Sequence, residues 1–141
     1  MTDNKIRLTY DIKADDFTRA GEASSSLKAY LRQMGIAPDI IRKTAICMYE
    51  GEINMVIHAK GGVIFVDITA DEIIMTLKDE GPGIKNIDQA MIEGFSTAPD
   101  NIRLLGFGAG MGLPNMKKYS DEMNIETVIG KGTTVTLKAK I

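Results

Sequence analysis

Two glycine-rich turns constrain what this chain can fold into. The first, residues 79–84, reads DEGPGI, and the second, residues 106–113, reads GFGAGMGL; together they hold six of the chain's 14 glycines. A glycine carries no Cβ, so backbone N–H groups at these positions can turn towards a ligand and approach it closely. The stretch 79–113 is therefore a candidate cradle for phosphate groups.

The composition is that of an ordinary globular chain. Its 141 residues fit one domain, 1–141, with 44% hydrophobic and 26% charged residues. A net charge of −2 gives no reason to expect direct nucleic-acid binding. The single cysteine, Cys47, excludes an internal disulfide and is expected to be an inert core thiol. Because the sequence shows neither a long apolar run nor a signal peptide, we expect a cytoplasmic protein without a membrane partner.

Hydrophobic periodicity predicts alternating groups of strands and helices. The predicted strands cover 6–12, 63–69, 73–79, 123–129 and 133–141, and the predicted helices cover 16–34, 38–59, 86–94 and 112–122. Asp15 and Asp16 are candidate caps of the first helix, and Pro38 suits the first turn of the second. Residues 95–110 lack periodicity, which predicts a mobile loop.

The order of these elements predicts the fold class. Strands 63–69 and 73–79 are separated by a short turn, which predicts an antiparallel hairpin. We expect one mixed sheet with the helices packed on one face. The predicted class is α+β, a two-layer α/β sandwich.

Glu50 and Asn54 interrupt an otherwise apolar helix. They are four residues apart and therefore share one helical face. The amide oxygen of Asn54 suits Mg²⁺, which takes few protein ligands and otherwise binds phosphates and water. The carboxylate of Glu50 could accept a proton from a hydroxyl near a phosphate. A solvated helix face produces the same spacing, and spacing alone favours that interpretation.

Asp79 ends a predicted strand immediately before the first glycine turn. Its carboxylate could accept a hydrogen bond from the exocyclic amine of a base, while Gly81 and Gly83 let a flat ligand lie close to the backbone. An ordinary Asp-Gly turn would look the same. Thr133 could place a hydroxyl near the same base, although a turn before a threonine-rich strand is the simpler explanation.

The second glycine run leads into the N-terminus of a predicted helix. That arrangement directs N–H groups and the positive end of the helix dipole at an anion. No Gly-Lys-Ser/Thr follows, so the run is not a P-loop. It also departs from the dinucleotide fingerprint, because Met111 stands where the third glycine would fall. A flexible hinge is the alternative explanation.

Four motifs follow one another in a set order: residues 50–54 (EGEIN), 79–83 (DEGPG), 106–112 (GFGAGMG) and 132–133 (GT). This series, which spans about residues 5 to 141, resembles the GHKL (HATPase_c) ATPase domain of gyrase, histidine kinases, mismatch-repair proteins and the ninety-kilodalton heat-shock chaperone. The resemblance implies the Bergerat type of α/β sandwich and ATP with Mg²⁺ as cofactors.

Within that superfamily the chain resembles the small bacterial serine/threonine kinases of the anti-sigma-factor class. The stretches DEGPGIKNIDQAMIEGFST and GAGMGLPNMKKYSDEMNIET look like the switch kinase of stress-response partner-switching modules (RsbT-like). The resemblance implies transfer of the ATP γ-phosphate to a serine or threonine of a STAS-domain anti-sigma-antagonist. It also implies a sigma factor or a phosphatase as further partners and is compatible with a homodimer.

The resemblance also implies roles for individual residues. Glu50 would be the general base, Asn54 would bind Mg²⁺ and Asp79 would read the adenine amino group. The remaining nucleotide-binding positions would be Gly81, Gly83, Ile84, Gly108, Gly110, Met111, Gly112, Leu113 and Thr133. Glu52 lies inside the first motif and could compete for Mg²⁺, and Arg103 is the cation of the loop that could approach the γ-phosphate.

Two alternatives to the kinase remain open at this point. One is a nucleotide-gated module that sequesters a sigma factor or another regulator with little or no phosphate transfer. The other is the ATP-binding domain of a histidine kinase. It is disfavoured because the sequence supplies no helical hairpin bearing a phosphoacceptor histidine, and the sole histidine, His58, falls on the Glu50 helix.

Overall fold

The computed structural model describes residues 5–14, 16, 18–58, 61–92 and 112–141. The strands are β1 (Ile6–Ile12), β2 (Gly62–Ile68), β3 (Glu72–Asp79), β4 (Glu122–Val128) and β5 (Gly132–Lys140). The helices are α1 (Glu22–Gln33), α2 (Pro38–His58), α3 (Ile87–Ala90) and α4 (Gly112–Tyr119). The predicted elements are confirmed in kind and order, whereas the predicted loop 95–110 lies outside the described residues.

The strands form one sheet in the order β1-β2-β3-β5-β4, and every neighbouring pair is antiparallel. The α+β class is confirmed, but the expectation of a mixed sheet is wrong. Helices α1 and α2 lie as a pair between β1 and β2, so the chain returns in the opposite direction. Strands β3 and β4 run in the same direction, but β5 lies between them and pairs with both.

Helix α2 is the centre of the helical layer. It contacts α1 and α4 and lies over β1, β3 and β5. Alternate residues of the central strands point into a single core beneath it, namely Ile64, Val66, Ile68, Ile73, Met75, Leu77, Val135, Leu137 and Ala139. Cys47 on α2 is fully buried in this core, and burial raises the pKa of its thiol to about 12. The thiol is therefore protonated at neutral pH, as expected for a core cysteine.

Helix α1 begins at Glu22 rather than near residue 16. Its N-terminus is capped by a residue that is distant in the sequence. Gly21 stands at the cap position and has no side chain to offer. Instead Oε2 of Glu52 accepts hydrogen bonds from the backbone N–H groups of Gly21 (2.9 Å) and Ala23 (3.2 Å), and Oε1 accepts one from Ser24 (3.2 Å). These bonds satisfy donors that would otherwise be unpaired. Glu52, 2% exposed, is therefore committed to α1, and the expectation that it could compete for Mg²⁺ is wrong.

Arg7 and Asp67 link β1 to β2. Nε of Arg7 donates to Oδ1 of Asp67 at 2.7 Å and Nη2 donates to Oδ2 at 3.0 Å. The guanidinium also lies over the ring of Phe65, 4.9 Å from its centroid. The hydrogen bond from Arg7 and its positive charge hold the pKa of Asp67 below its ordinary value.

No helix in the described ranges is both long enough and apolar enough to cross a membrane.

Replacement of Glu52 by glutamine should lower the free energy of unfolding by about 2 kcal/mol, because hydrogen bonds to a charged group contribute about 1.5–3 kcal/mol each and glutamine keeps one acceptor. Urea denaturation followed by circular dichroism measures the loss. The control is Glu126→Gln on the exposed side of β4, which should change the value by less than about 0.5 kcal/mol. Equal stability of the two variants would contradict the capping role.

The stability difference between the wild type and Asp67→Asn should depend on pH. Because the pKa of Asp67 is lowered in the folded state, its contribution is fully present above the ordinary value of 3.8 and is lost as the pH falls through the folded value. Urea midpoints of both proteins, measured from neutral to acidic pH, should therefore converge at the acidic end. A difference that stays constant over this range would exclude the ion pair as its cause.

Candidate functional site

Helices α2 and α4 bring two of the sequence motifs together. Asn54 of α2 faces Gly112 at the start of α4, and one turn earlier on α2 Glu50 faces Asn115. The residue number falls along one helix as it rises along the other, so the helices are antiparallel. The first motif and the end of the second glycine run therefore form one site.

The contact between Asn54 and Gly112 depends on the missing Cβ. A Cβ placed on Gly112 would lie 2.9 Å from Nδ2 and 3.0 Å from Oδ1 of Asn54, closer than side chains normally approach. Asn54 is half-buried, and its amide could make room for a Cβ only by leaving this contact. Glycine at this position thus lets the N-terminus of α4 lie directly against the amide of Asn54.

Glu50 is held by a residue that sequence reasoning did not identify. Nδ2 of Asn115 donates a hydrogen bond to Oε2 of Glu50 at 2.8 Å. Oε1 of Glu50 accepts no hydrogen bond from a described residue. The signal was present in the spacing, since Asn115 lies one turn after Gly112 just as Glu50 lies one turn before Asn54. This spacing identifies Asn115 as the partner of Glu50 only once the two helices are known to pack antiparallel.

Asp79 ends β3 with one carboxylate oxygen fixed by the backbone. Oδ1 accepts hydrogen bonds from the N–H of Gly81 at 2.9 Å and from the N–H of Thr133 at 3.2 Å. Oδ2 accepts none from the described residues and can receive a donor from a ligand. The structure thus brings together Asp79, Gly81 and Thr133, three of the residues predicted to surround a base.

The first glycine turn is tied to the β4–β5 hairpin through Thr127, which sequence reasoning also missed. The hydroxyl of Thr127 accepts a hydrogen bond from the N–H of Ile84 at 2.9 Å and lies 2.9 Å from the hydroxyl of Thr133. Gly83 has a φ of 83°, and a Cβ on it would lie 2.8 Å from the carbonyl oxygen of Val128. These contacts therefore fix the position of the first glycine turn relative to the β4–β5 hairpin.

The other predicted site residues divide into two groups. Leu113 is 8% exposed and its side chain belongs to the core, so its backbone N–H is the group that could face a nucleotide. Gly108, Gly110, Met111 and Arg103 lie outside the described residues.

A metal at this site would depend on oxygens from outside the protein. The described residues contain no cluster of three or more histidine, cysteine, aspartate or glutamate side chains that could hold a metal ion. Asn54 offers one amide oxygen beside the N-terminus of α4, where phosphates are favoured. This donor set fits Mg²⁺, which keeps waters and binds phosphate oxygens alongside one or two protein ligands.

The family profile described as "Histidine kinase-, DNA gyrase B-, and HSP90-like ATPase" matches residues 46–141. The chain belongs to this ATPase family. The match begins on α2 and includes all four motifs, from Glu50 to Thr133. Membership of the ATPase family makes ATP the ligand of this domain.

The chain is also similar to curated proteins named anti-sigma F factor. It is 29% identical over 144 residues to that of Geobacillus thermodenitrificans (strain NG80-2), with 98% of this chain and 93% of the relative covered. It is 30% identical over 125 residues to that of Geobacillus sp. (strain WCH70), with 84% and 82% covered. It is 28% identical to that of Clostridium beijerinckii (strain ATCC 51743 / NCIMB 8052), with 99% and 96% covered.

Among solved structures, the fold is similar to that in the crystal structure of the RsbU and RsbW domains of Rv1364c from Mycobacterium tuberculosis. The TM-score is 0.64 at 17% sequence identity. The alignment covers 95% of this chain and 32% of the other, so the chain spans about a third of that protein's length. This likeness supports the ATPase fold.

Replacement of Gly112 by alanine should weaken ATP binding about tenfold, since the new methyl group must displace Asn54 and an interaction loss of about 1.4 kcal/mol is a factor of ten. Isothermal titration with Mg-ATP measures the affinity. The control is Gly35→Asn just after α1, where a Cβ meets nothing within 4 Å and asparagine tolerates the φ of 77°; its ATP affinity should equal that of the wild type. An unchanged affinity in Gly112→Ala would contradict a tight contact at Asn54.

Proposed function

We propose that this protein is an ATP-dependent serine/threonine protein kinase of the anti-sigma-factor type. It transfers the γ-phosphate of ATP to a serine or threonine of a STAS-domain anti-sigma-antagonist. The observation that carries the proposal is the carboxylate of Glu50, which Asn115 orients one helical turn from Asn54. Residues four apart on a helix have Cβ atoms about 5–6 Å apart, which places a base beside the phosphates.

The nucleotide lies between the two halves of the site. The free oxygen of Asp79 accepts a hydrogen bond from the adenine amine, and the backbone of Gly81, Gly83 and Ile84 faces the base together with Thr133. The phosphates lie at the N-terminus of α4 beside Asn54. The backbone at Gly112 and Leu113 contributes there, and Gly108, Gly110 and Met111 complete the cradle.

Asn54 would hold Mg²⁺ through its amide oxygen, alongside phosphate oxygens and water. When bound, the metal would neutralise charge on the transferred phosphoryl group. Catalysis then depends mainly on placing the acceptor hydroxyl in line with the γ-phosphorus.

Glu50 receives the proton of the acceptor. The hydroxyl of the partner's serine or threonine gives its proton to the carboxylate as its oxygen bonds to the γ-phosphorus. The bond between that phosphorus and the bridging oxygen of ADP breaks, and ADP leaves with the electron pair. Asn115 binds Oε2, which leaves Oε1 to face the hydroxyl.

The partners follow from the same family of regulators. A STAS-domain protein is the phosphate acceptor, and a sigma factor is the second partner. For a regulator of this class, the proposal also includes a phosphatase as a partner and the formation of a homodimer. Because a sigma factor acts in the cytoplasm, the proposed function implies that this protein acts there too.

A second candidate function is a nucleotide-gated module that binds a sigma factor with little or no phosphate transfer. The name of the relatives, anti-sigma F factor, favours it, because that name refers to capture of a sigma factor. Pull-downs of sigma factors with and without ATP separate the two. Capture that is independent of nucleotide, without any phosphorylated partner, would favour this second function.

Replacement of Glu50 by glutamine should lower the rate of phosphate transfer about a thousandfold, since a positioned general base contributes roughly 10²–10⁴-fold. ATP binding should be retained. The assay follows labelled γ-phosphate from ATP to purified STAS-domain proteins of the same genome, and titration measures nucleotide affinity.

Glu126→Gln, which changes the same functional group on the exposed side of β4, is the control and should transfer at the wild-type rate. Transfer that survives Glu50→Gln would remove Glu50 from the mechanism. Absence of transfer to every STAS-domain protein by the wild type would contradict the kinase function itself.

A further inference from the structure

A groove with a volume of about 510 Å³ lies between α1, α2 and α4, beside Glu50. Its size falls in the range of ligand pockets, about 300–1,000 Å³. Residues of all three helices line it, from Arg42 to Glu50 on α2 and from Asn115 to Tyr119 on α4, with Lys28 on α1. The mechanism above uses only Glu50 and Asn115, at one end of this space.

The groove continues the line of the nucleotide site. Along α2 the order is Asn54, Glu50 and then Arg42, and along the antiparallel α4 it is Gly112, Asn115 and then Tyr119. A rise of 1.5 Å per residue separates Arg42 from Glu50 by about 12 Å. An extended peptide covers that length with about three to four residues. A hydroxyl that enters along the groove therefore reaches Glu50 before it reaches the phosphate.

The outer part of the groove is positively charged. Lys28 is exposed and forms no ion pair with a described residue. Arg42 forms an ion pair with the exposed Asp39 at 3.2 Å, and Asp39 also pairs with Lys43. The guanidinium of Arg42 lies over the ring of Tyr119, 5.8 Å from its centroid. Of the described lining residues, Glu50 is the only acid.

The groove also offers neutral donors along its length. Tyr49 lines it and is 39% exposed. Burial and the negative charges of Glu50 and Glu52 raise the pKa of its phenol, so it stays protonated at neutral pH. Ser25 and Asn115 add further hydrogen-bonding groups. Such walls suit the polar backbone of an extended peptide.

We propose that this groove binds the acceptor segment of the protein substrate. The segment is extended, places its serine or threonine hydroxyl at Glu50, and carries an acidic side chain about three residues away that faces Lys28 and Arg42. The inference rests on the proposed kinase function. It adds that the sequence around the acceptor residue of the substrate is acidic. Lys28 and Arg42 are specificity-determining residues, and neither touches the reacting atoms.

The test compares two short fluorescein-labelled peptides. One has aspartates on both sides of a single serine, and its twin has lysines in their place. Fluorescence anisotropy with the full chain, Mg²⁺ and a non-hydrolysable ATP analogue measures their affinities. At low salt the acidic peptide should bind about tenfold more tightly, and the ratio should fall as salt rises.

Reversal of both groove charges, Lys28→Glu with Arg42→Glu, should abolish or invert this ratio, and thermal unfolding verifies that the double variant is folded. The matched control is Lys117→Glu, an exposed lysine of α4 outside the groove, which should keep the wild-type ratio.

Three binding results would overturn the proposal. They are no measurable binding of the acidic peptide, equal binding of both peptides by the wild type, and a ratio that survives the double reversal. If sedimentation shows that the reversal turns a dimer into a monomer, a second copy occupies the groove and the proposal is wrong.

The transfer assay with labelled ATP and purified STAS-domain proteins separates this inference from the proposed function. Charge-selective peptide binding together with no transfer to any STAS-domain protein would contradict the kinase activity while supporting the groove as a binding site for acidic segments.

Discussion

The close contact between α2 and α4 at Asn54 and Gly112 is the constraint on which the site depends. A side chain on Gly112 would have to displace the amide of Asn54 from its contact with the helix N-terminus. The separation at that point also determines whether Asn115 can reach Glu50, since both residues lie one turn further along the same pair of helices. One steric condition thus controls both the proposed phosphate end of the site and the carboxylate of Glu50.

The proposed base end of the site is built differently, from backbone donors and threonine hydroxyls. Asp79 holds the first glycine turn through Gly81 and holds β5 through Thr133. Thr127 then links the turn to β4. These bonds cross between three strands, so the antiparallel order β3-β5-β4 is what brings the groups together. A parallel neighbour in place of β5 would carry Thr133 to the far end of the sheet.

Much of this arrangement could be predicted from local patterns. Period-two alternation identified β1, strand-like runs on either side of a short turn identified β2 and β3, and the spacing of Glu50 and Asn54 identified one face of α2. These signals depend only on neighbouring residues. The order of the four motifs was sufficient to suggest the ATPase family, which the profile match confirms.

What could not be predicted depends on contacts between distant segments. Asp15 and Asp16 indicated an early start for α1, but the carboxylate of Glu52, about thirty positions away, supplies the cap and sets the start at Glu22. Asn115 and Thr127 have no local signature, since each acquires its role only from a partner on another element. The antiparallel pairing of β1 with β2 likewise follows from the helix pair that connects them rather than from either strand's own sequence.

The buried carboxylate of Glu52 has a consequence for engineering and for divergence within the family. Glu50 and Glu52 are two positions apart on α2, so one serves the site while the other faces the start of α1. Helix α1 in turn supplies one wall of the groove. A chimera that exchanges α1 between relatives must therefore exchange residue 52 with it, or the transplanted helix loses its anchor. Relatives that recognise different partners could therefore exchange α1 only together with residue 52, although the two are not adjacent in the sequence.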